Sequence, residues 1–281
     1  MPNTFSPAPD GAVIVAAPSG LEVTLRAVDG EDELFLLDTA DRMLPSRRGT
    51  ALLARCLGGG EQEARALTIG DREALLLQLR RLTIGEAVDA VLRCPATACG
   101  AQLDLGVQVA ELLVPRYEQL RTRYEMTVDA EDGAYGVAFR LPTSDDLDEG
   151  AAIARNDPEA AATAILRRCV LRCERDGRPV TPEALPSSIR SAVAEAMLAR
   201  DPQAEIELEM RCPTCERRFT ALFDVASFIT RELEDRAAHL LREVHALALT
   251  YGWSEADILR MPAQRRARYL ELANESRAVL R

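Results

Sequence analysis

The stretch "RCPTCERRF", residues 211–219, decides how the rest of the chain is read. Cys212 and Cys215, two residues apart with a proline after the first, form a tight turn that offers two thiolates to one metal ion. Upstream, Ile206, Leu208 and Met210 alternate with Glu205, Glu207 and Glu209, which is the period of a half-buried strand. Downstream, "RFTALF" returns as a second strand. The unit is strand, knuckle, strand, and it supplies half of a tetrahedral site.

The other half lies in "EAVDAVLRCPATACGAQLDL", residues 86–105. A strand pattern runs into Cys94, four residues pass, Cys99 and Gly100 follow, and the alternation resumes. Four thiolates from two such knuckles would close a zinc shell and leave no position for water, so the expected site is structural. The competing reading is four buried thiols without metal. No internal repeat is apparent beyond the paired knuckles.

Working outward, residues 12–27 read as a strand pair around "PSG", and "ELFLL" at 33–37 as a further extended piece. "TALLARCLGGG" reads as a short helix stopped by Gly58, Gly59 and Gly60, with Cys56 a buried free thiol. Residues 70–85 carry Leu75, Leu76, Leu79 and Leu82 at helical spacing behind Asp71. Between the knuckles, "RYEMTV" and "YGVAFRL" flank an Asp-Gly turn as a hairpin. Three helices follow: one capped by Thr143, one by Asp157 with Pro158 at its first position, and one over "PSSIRSAVAEAMLAR". The second is read through Cys173, so that Cys169 and Cys173 share a helical face, either as core or as a second metal pair. "TSDDLDE" fits a helix start better than a Ca²⁺ or Mg²⁺ loop.

From Asp224 the chain reads as one long helix with Ile229, Leu233, Ala237, Leu240, Val244, Leu247 and Tyr251 on a single stripe, a surface that calls for a partner. Gly252 breaks it, Ser254 and Asp257 restart it, and Pro262 opens the last helix. The expected organisation is α+β and helix-rich: a strand-rich region over 1–66, a zinc-ribbon-like core from 67–105 and 202–224, an inserted α/β subdomain over 106–201, and a helical end over 225–281.

Composition narrows the function. The 281 residues carry a net charge of −11, which argues against general nucleic-acid binding; that all 34 basic residues are arginine reads as genome composition. No apolar run reaches membrane-span length, and "MPNTFSPAPDG" has neither a basic nor an apolar signal region, so the expected location is cytoplasmic. Seven cysteines there are thiols or metal ligands. Only His239 and His245 are present, and no nucleophile elbow, phosphate loop or His-Glu-x-x-His helix occurs, so catalysis is not expected. His245 beside Glu243 reads as a packed, interfacial or metal-binding residue. Arg265, Arg266 and Arg268 near Tyr269 suggest a rival, a zinc-ribbon nucleic-acid adaptor, against a plain solvated helix face with Tyr269 and Leu270 packed inward.

"GDREALLLQLRRLTIGEAVDAVLRCPATACGAQLDL", "FRLPTSDDLDEGA", "ALPSSIRSAVAEAMLARDPQAEIELEMRCPTC" and "LLREVHALALTYGWSEADILRMPAQRRARYLEL" together resemble the T4-type baseplate proteins, or hub assembly chaperones, of contractile phage tails and phage-derived injection systems. The resemblance spans about residues 67–275, with "EVHALALTYGWSE" its most telling piece. It implies a non-enzymatic role in building the baseplate, hub, spike or other tail proteins as partners, and association with a tail or injection particle. Positions matching the family pattern are the four cysteines, Glu243, His245, Tyr251, Trp253 and Arg266. Partner contact is expected of His245, Tyr251, Trp253, Arg266 and Tyr269, with Trp253 either a surface anchor or the filling of a helix corner.

Overall fold

A computed structural model describes residues 12–117 and 120–279; the opening "MPNTFSPAPDG" lies outside them. The chain begins with an antiparallel hairpin, β1 (Val13–Ala16) and β2 (Glu22–Leu25). Three helices follow: α1 (Gly30–Thr39), α2 (Pro45–Cys56) and α3 (Gly60–Ala66). Residues 33–37, expected to be extended, therefore lie in α1, and the described residues 12–66 are more helix than strand. The start of α1 is dictated by "DGED": Asp29 accepts from the Glu31 and Asp32 amides, and Asp32 bonds back to the Asp29 amide. No left-handed glycine ends α2. Leu57 turns extended and bridges Leu25, so pairing with the hairpin stops the helix.

Next come α4 (Ile69–Thr83), the first knuckle hairpin β3 (Ala87–Arg93) and β4 (Gln102–Gln108), and a single turn, α5 (Val109–Leu112). Thr68 caps α4 through the Asp71 amide. α4 is covered on every side: Leu75, Leu76, Leu77 and Leu79 are fully buried, each contributing about 1.5–3 kcal/mol. Its buried guanidiniums are matched. Arg72 donates to Thr50 Oγ1 and the Ser46 carbonyl and pairs with Glu73. Arg80 forks onto Glu232 and donates to the Gly85 and Ala87 carbonyls.

The segment between the knuckles holds β5 (Tyr124–Ala130), β6 (Gly133–Phe139), α6 (Ser144–Ala154), α7 (Pro158–Cys169), β7 (Val170–Arg175), β8 (Arg178–Pro179) and α8 (Ser187–Leu198). The hairpin and three helices fall where the sequence places them. The expectation for residues 170–173 is corrected: α7 stops at Cys169 and the chain passes directly into β7, which pairs with β6 in a four-stranded antiparallel sheet. Cys169 and Cys173 therefore share no helical face. Pairing of Val170 with Phe139 takes the backbone bonds that would have extended the helix.

The second knuckle hairpin, β9 (Glu207–Arg211) and β10 (Arg218–Leu222), leads into α9 (Val225–Ala237), α10 (Leu240–Tyr251), α11 (Glu255–Leu259) and α12 (Ala263–Val279). The long helix expected from Asp224 is two helices. The chain breaks at Ala238 and His239 because its apolar stripe serves two cores: Ile229, Leu233 and Ala226 pack with β1, β2, α1, α2 and α4, whereas Leu240, Val244 and Leu247 pack with Ile258, Leu259 and Tyr269. Gly252, at φ 70°, ends α10 in the left-handed form as expected.

One order of elements occurs twice. A hairpin, two helices, a return strand or bridge, a helix (α4 or α8), a knuckle hairpin and a further helix run from β1 to α5 and again from β5 to α9, with α3 an addition of the first half. The residues correspond. "TALLARC" (50–56) ends α2 and "TAILRRC" (163–169) ends α7; Pro45 and Pro158 open these helices. Leu67 precedes "RCP" (93–95) by the same interval as Leu185 precedes "RCP" (211–213). The repeat therefore extends well beyond the knuckles.

Candidate metal centre

Each knuckle is shaped by the same bonds. The Cys94 amide donates to the Ala101 carbonyl at 2.9 Å, and the Cys212 amide to the Arg217 carbonyl at 2.9 Å, closing the two hairpins above their last strand pairs. Gly100 at φ 56° and Glu216 at φ 60° occupy the same left-handed corner. Glycine takes that corner cheaply; glutamate does not, and Glu216 is held by its amide on the Cys212 carbonyl and by an ion pair to Arg211 at 3.2 Å.

The four sulfurs lie within 4.8 Å of one another. Cys94 Sγ stands 3.7 Å from Cys215 Sγ and Cys99 Sγ 3.8 Å from Cys212 Sγ, so these close pairs join one knuckle to the other. Zinc–sulfur bonds of about 2.3 Å in a tetrahedron place sulfurs about 3.8 Å apart, whereas a disulfide needs about 2.05 Å. The donor set fits a tetrahedral thiophilic ion and no disulfide is present. Cys94 and Cys212 are buried against Leu103, Met210 and Phe219, while Cys215 faces solvent.

The local electrostatics pull the knuckle thiols in different directions. Backbone amides, foremost that of Cys215, bring the Cys212 thiol down to about 6. Cys94 goes the other way: the Ala96 amide lowers it, but burial and the neighbouring thiols carry it up to about 11. Four thiolates at this spacing repel one another, and a divalent ion removes that cost by replacing the protons.

Elsewhere the sequence reading is sorted by burial. Cys56 and Cys169 are buried beside Asp32 and Asp146, and burial pushes the Cys169 thiol up to about 12. The Cys173 thiol donates to the Val180 carbonyl. These three are core thiols, and among the described residues the four knuckle cysteines form the one group of ligating side chains with metal geometry. "TSDDLDE" is a helix start: Asp146 reaches back to the Thr143 amide and hydroxyl.

Arg266 is corrected from partner contact to core. It is 1% exposed, pairs with Glu33 and Glu243, and donates to the Met261 carbonyl. Gly30 is a glycine because the Leu259 carbonyl and the Arg266 guanidinium leave no room for a Cβ. Burial removes Arg266 from the rival arginine patch; Arg265, over the Tyr269 ring, and Arg268, paired with Glu271, stay exposed on the helix face. Of the other predicted contact residues, the three aromatic ones come together. Tyr251 stacks on Trp253 at 4.6 Å, Trp253 meets Tyr269 edge-on at 4.8 Å, and the Tyr251 hydroxyl donates to the Tyr269 carbonyl. Trp253 and Tyr269 are half-buried in the corner between α10 and α12, with Tyr251 and His245 exposed.

Sequence reasoning missed two buried carboxylates that organise the halves of the repeat. Asp32 takes Arg26 and Arg55, and Asp146 takes Arg140 and Arg168. Arginine six residues before the aspartate and an Arg-Cys pair at the end of the next helix, present twice, were the available signal.

Compared with known proteins, the chain is matched over residues 13–230 by a family model described as T4 bacteriophage base plate protein. No curated protein and no solved structure matches significantly. The match begins far earlier than the expected residue 67, taking in the first hairpin, and ends before "EVHALALTYGWSE", the piece expected to be most telling.

Proposed function

The chain belongs to the T4 bacteriophage base plate protein family, whose role is structural or assembly work in a phage baseplate, and from that premise we propose a zinc-clamped, non-enzymatic baseplate or hub assembly component of a contractile tail or phage-derived injection system. The observation that carries the clamp is the pairing of Cys94 with Cys215 and of Cys99 with Cys212 across the two knuckles. Cys94, Cys99, Cys212 and Cys215 would hold the ion, which supplies no chemistry beyond cross-linking the halves of the repeat. The aromatic corner of Tyr251, Trp253 and Tyr269, with His245 nearby on α10, is the surface we assign to contact with hub, spike or other tail proteins, since aromatic side chains dominate such contacts. No helix among the described residues is long and apolar enough to cross a membrane, consistent with a particle component.

Deleting the gene and imaging the tails tests this. Sheaths and tubes lacking finished baseplates, restored by the wild-type gene, are the expected result. Normal, infective or firing-competent particles from the deletion would overturn the proposal. Mass spectrometry of purified particles then separates a retained subunit from a helper that leaves.

A further inference from the structure

The two halves of the repeat differ at one surface. In the first half, α9 lies across α2 and α4, with Ala226 closing on Gly49, which also faces Leu76 and Arg72 of α4, and with Glu232 on Arg80. A Cβ on Gly49 would come within 3.0 Å of the Ala226 Cβ, so the glycine marks where α9 is seated. In the second half, the matching surface between α7 and α8 carries no helix among the described residues. It forms a groove of about 590 Å³, lined mainly by apolar atoms of Ala162, Ile165, Ala194, Met197 and Leu198.

The correspondence runs residue by residue. Gly49, Leu52, Leu76 and Arg80 are buried under or beside α9; their counterparts Ala162, Ile165, Ala194 and Leu198 are exposed or half-exposed. Leu198 is 39% exposed where Arg80 is 2%. Small residues persist at the seat, Gly49 becoming Ala162, although no helix among the described residues occupies it.

The reason it stays open lies in α5. After the second knuckle, Asp224 caps a 13-residue helix whose first residue, Val225, is buried. After the first knuckle, Gln108 and Val109 hold the same two places, but the helix ends at Leu112 after four residues. That single turn ends against Gln203, which donates to the Leu112 carbonyl and accepts from the Val114 amide, next in the chain to the groove-lining residues Ala204 and Glu205. The element that would cover the groove is truncated.

We propose that the groove between α7 and α8 is a docking site for an amphipathic helix of another protein. That helix would be apolar at the positions that Val225, Ala226, Ile229 and Leu233 hold in α9, with a small residue over Ala162. The proposal stands on the repeat and is independent of the baseplate reading.

The probe is a peptide of residues 224–238 with Arg231→Lys joined to Asp235 by a lactam on its solvent face, so that it is helical when free. Fluorescence anisotropy should show saturable binding to the full chain, weakened at least tenfold by Ala194→Arg and by Ala162→Arg. Both substitutions are at exposed positions, and each variant's urea midpoint should match the wild type. No binding, or binding that both variants retain, overturns the proposal. A wild-type self-association abolished by Ala194→Arg would assign the groove to a second copy, and so would also overturn it.

Discussion

Asp32 and Asp146 occupy the same place in the two halves of the chain. Each is the third residue of a helix and bonds back to its cap, each takes two arginines, and each lies within 3.8 Å of a buried cysteine thiol. A fully buried carboxylate is tolerable only with such company. Removing its charge strands the arginines. Asp32→Asn and Asp146→Asn are each expected to lower stability by about 2–4 kcal/mol in urea unfolding at pH 7, the partial exposure of the arginines softening the loss.

The pH dependence follows from the same groups. Burial alone would raise the Asp146 pKa, but hydrogen bonds from Arg140 and Arg168 overcome it and hold the carboxyl well below the usual range; Asp32 is lowered by Arg26 and Arg55 in the same manner. A depressed pKa contributes stability that is present above the ordinary carboxylate value and lost as pH falls below it. The stability that these two carboxylates contribute, read as the difference between wild-type and Asn-variant urea midpoints, should hold between pH 7 and 5 and shrink steeply below about pH 4. The midpoints of the two Asn variants should themselves show a shallower drop.

Asp71 has the opposite sign. Burial raises its carboxyl to about 6, and its Oδ1 is buried without a partner. A raised acid pKa means that ionisation costs stability above pH 6 and costs none below the unfolded value. Asp71→Asn should therefore stabilise by about 1–2 kcal/mol at pH 7.5, the gain disappearing by about pH 4. Equal effects at both pH values would contradict the assignment.

Arg266 and Arg265 are neighbours in sequence with different work. Arg266→Met leaves Glu33 buried and unpaired between α1 and α12, so a loss of about 3–5 kcal/mol is expected in thermal or urea unfolding. Arg265→Ala should change stability by less than about 0.5 kcal/mol. A nucleic-acid adaptor would instead lose salt-sensitive binding with both.

What the sequence made legible was whatever carries a local signal. The knuckles, both long hairpins, the caps at Thr143 and Asp157, and the glycine stop at Gly252 all depend on residues close to one another. The misreadings occur where packing overrides local pattern. "ELFLL" looks like a strand because two cores claim it, Leu36 in one and Leu34 in the other, which erases helical periodicity. Residues 170–173 leave a helix for a strand with no glycine or proline to mark the change, and Ala238–His239 breaks a helix as silently. Arg266 was read as exposed because its acids, Glu33 and Glu243, are distant in the chain. The repeat escaped notice because its halves share a few fixed positions, such as Thr-Ala-x-Leu-x-Arg-Cys and Arg-Cys-Pro, amid otherwise different side chains.

The most direct test of the clamp is the metal content of the purified chain, measured by inductively coupled plasma mass spectrometry beside the Cys212→Ser, Cys215→Ser double variant. One zinc per wild-type chain, none in the variant, and a lower unfolding midpoint on removing the metal are the predicted results. Wild-type protein prepared without chelator that carries no zinc, and whose unfolding is unchanged by added zinc, would contradict the account.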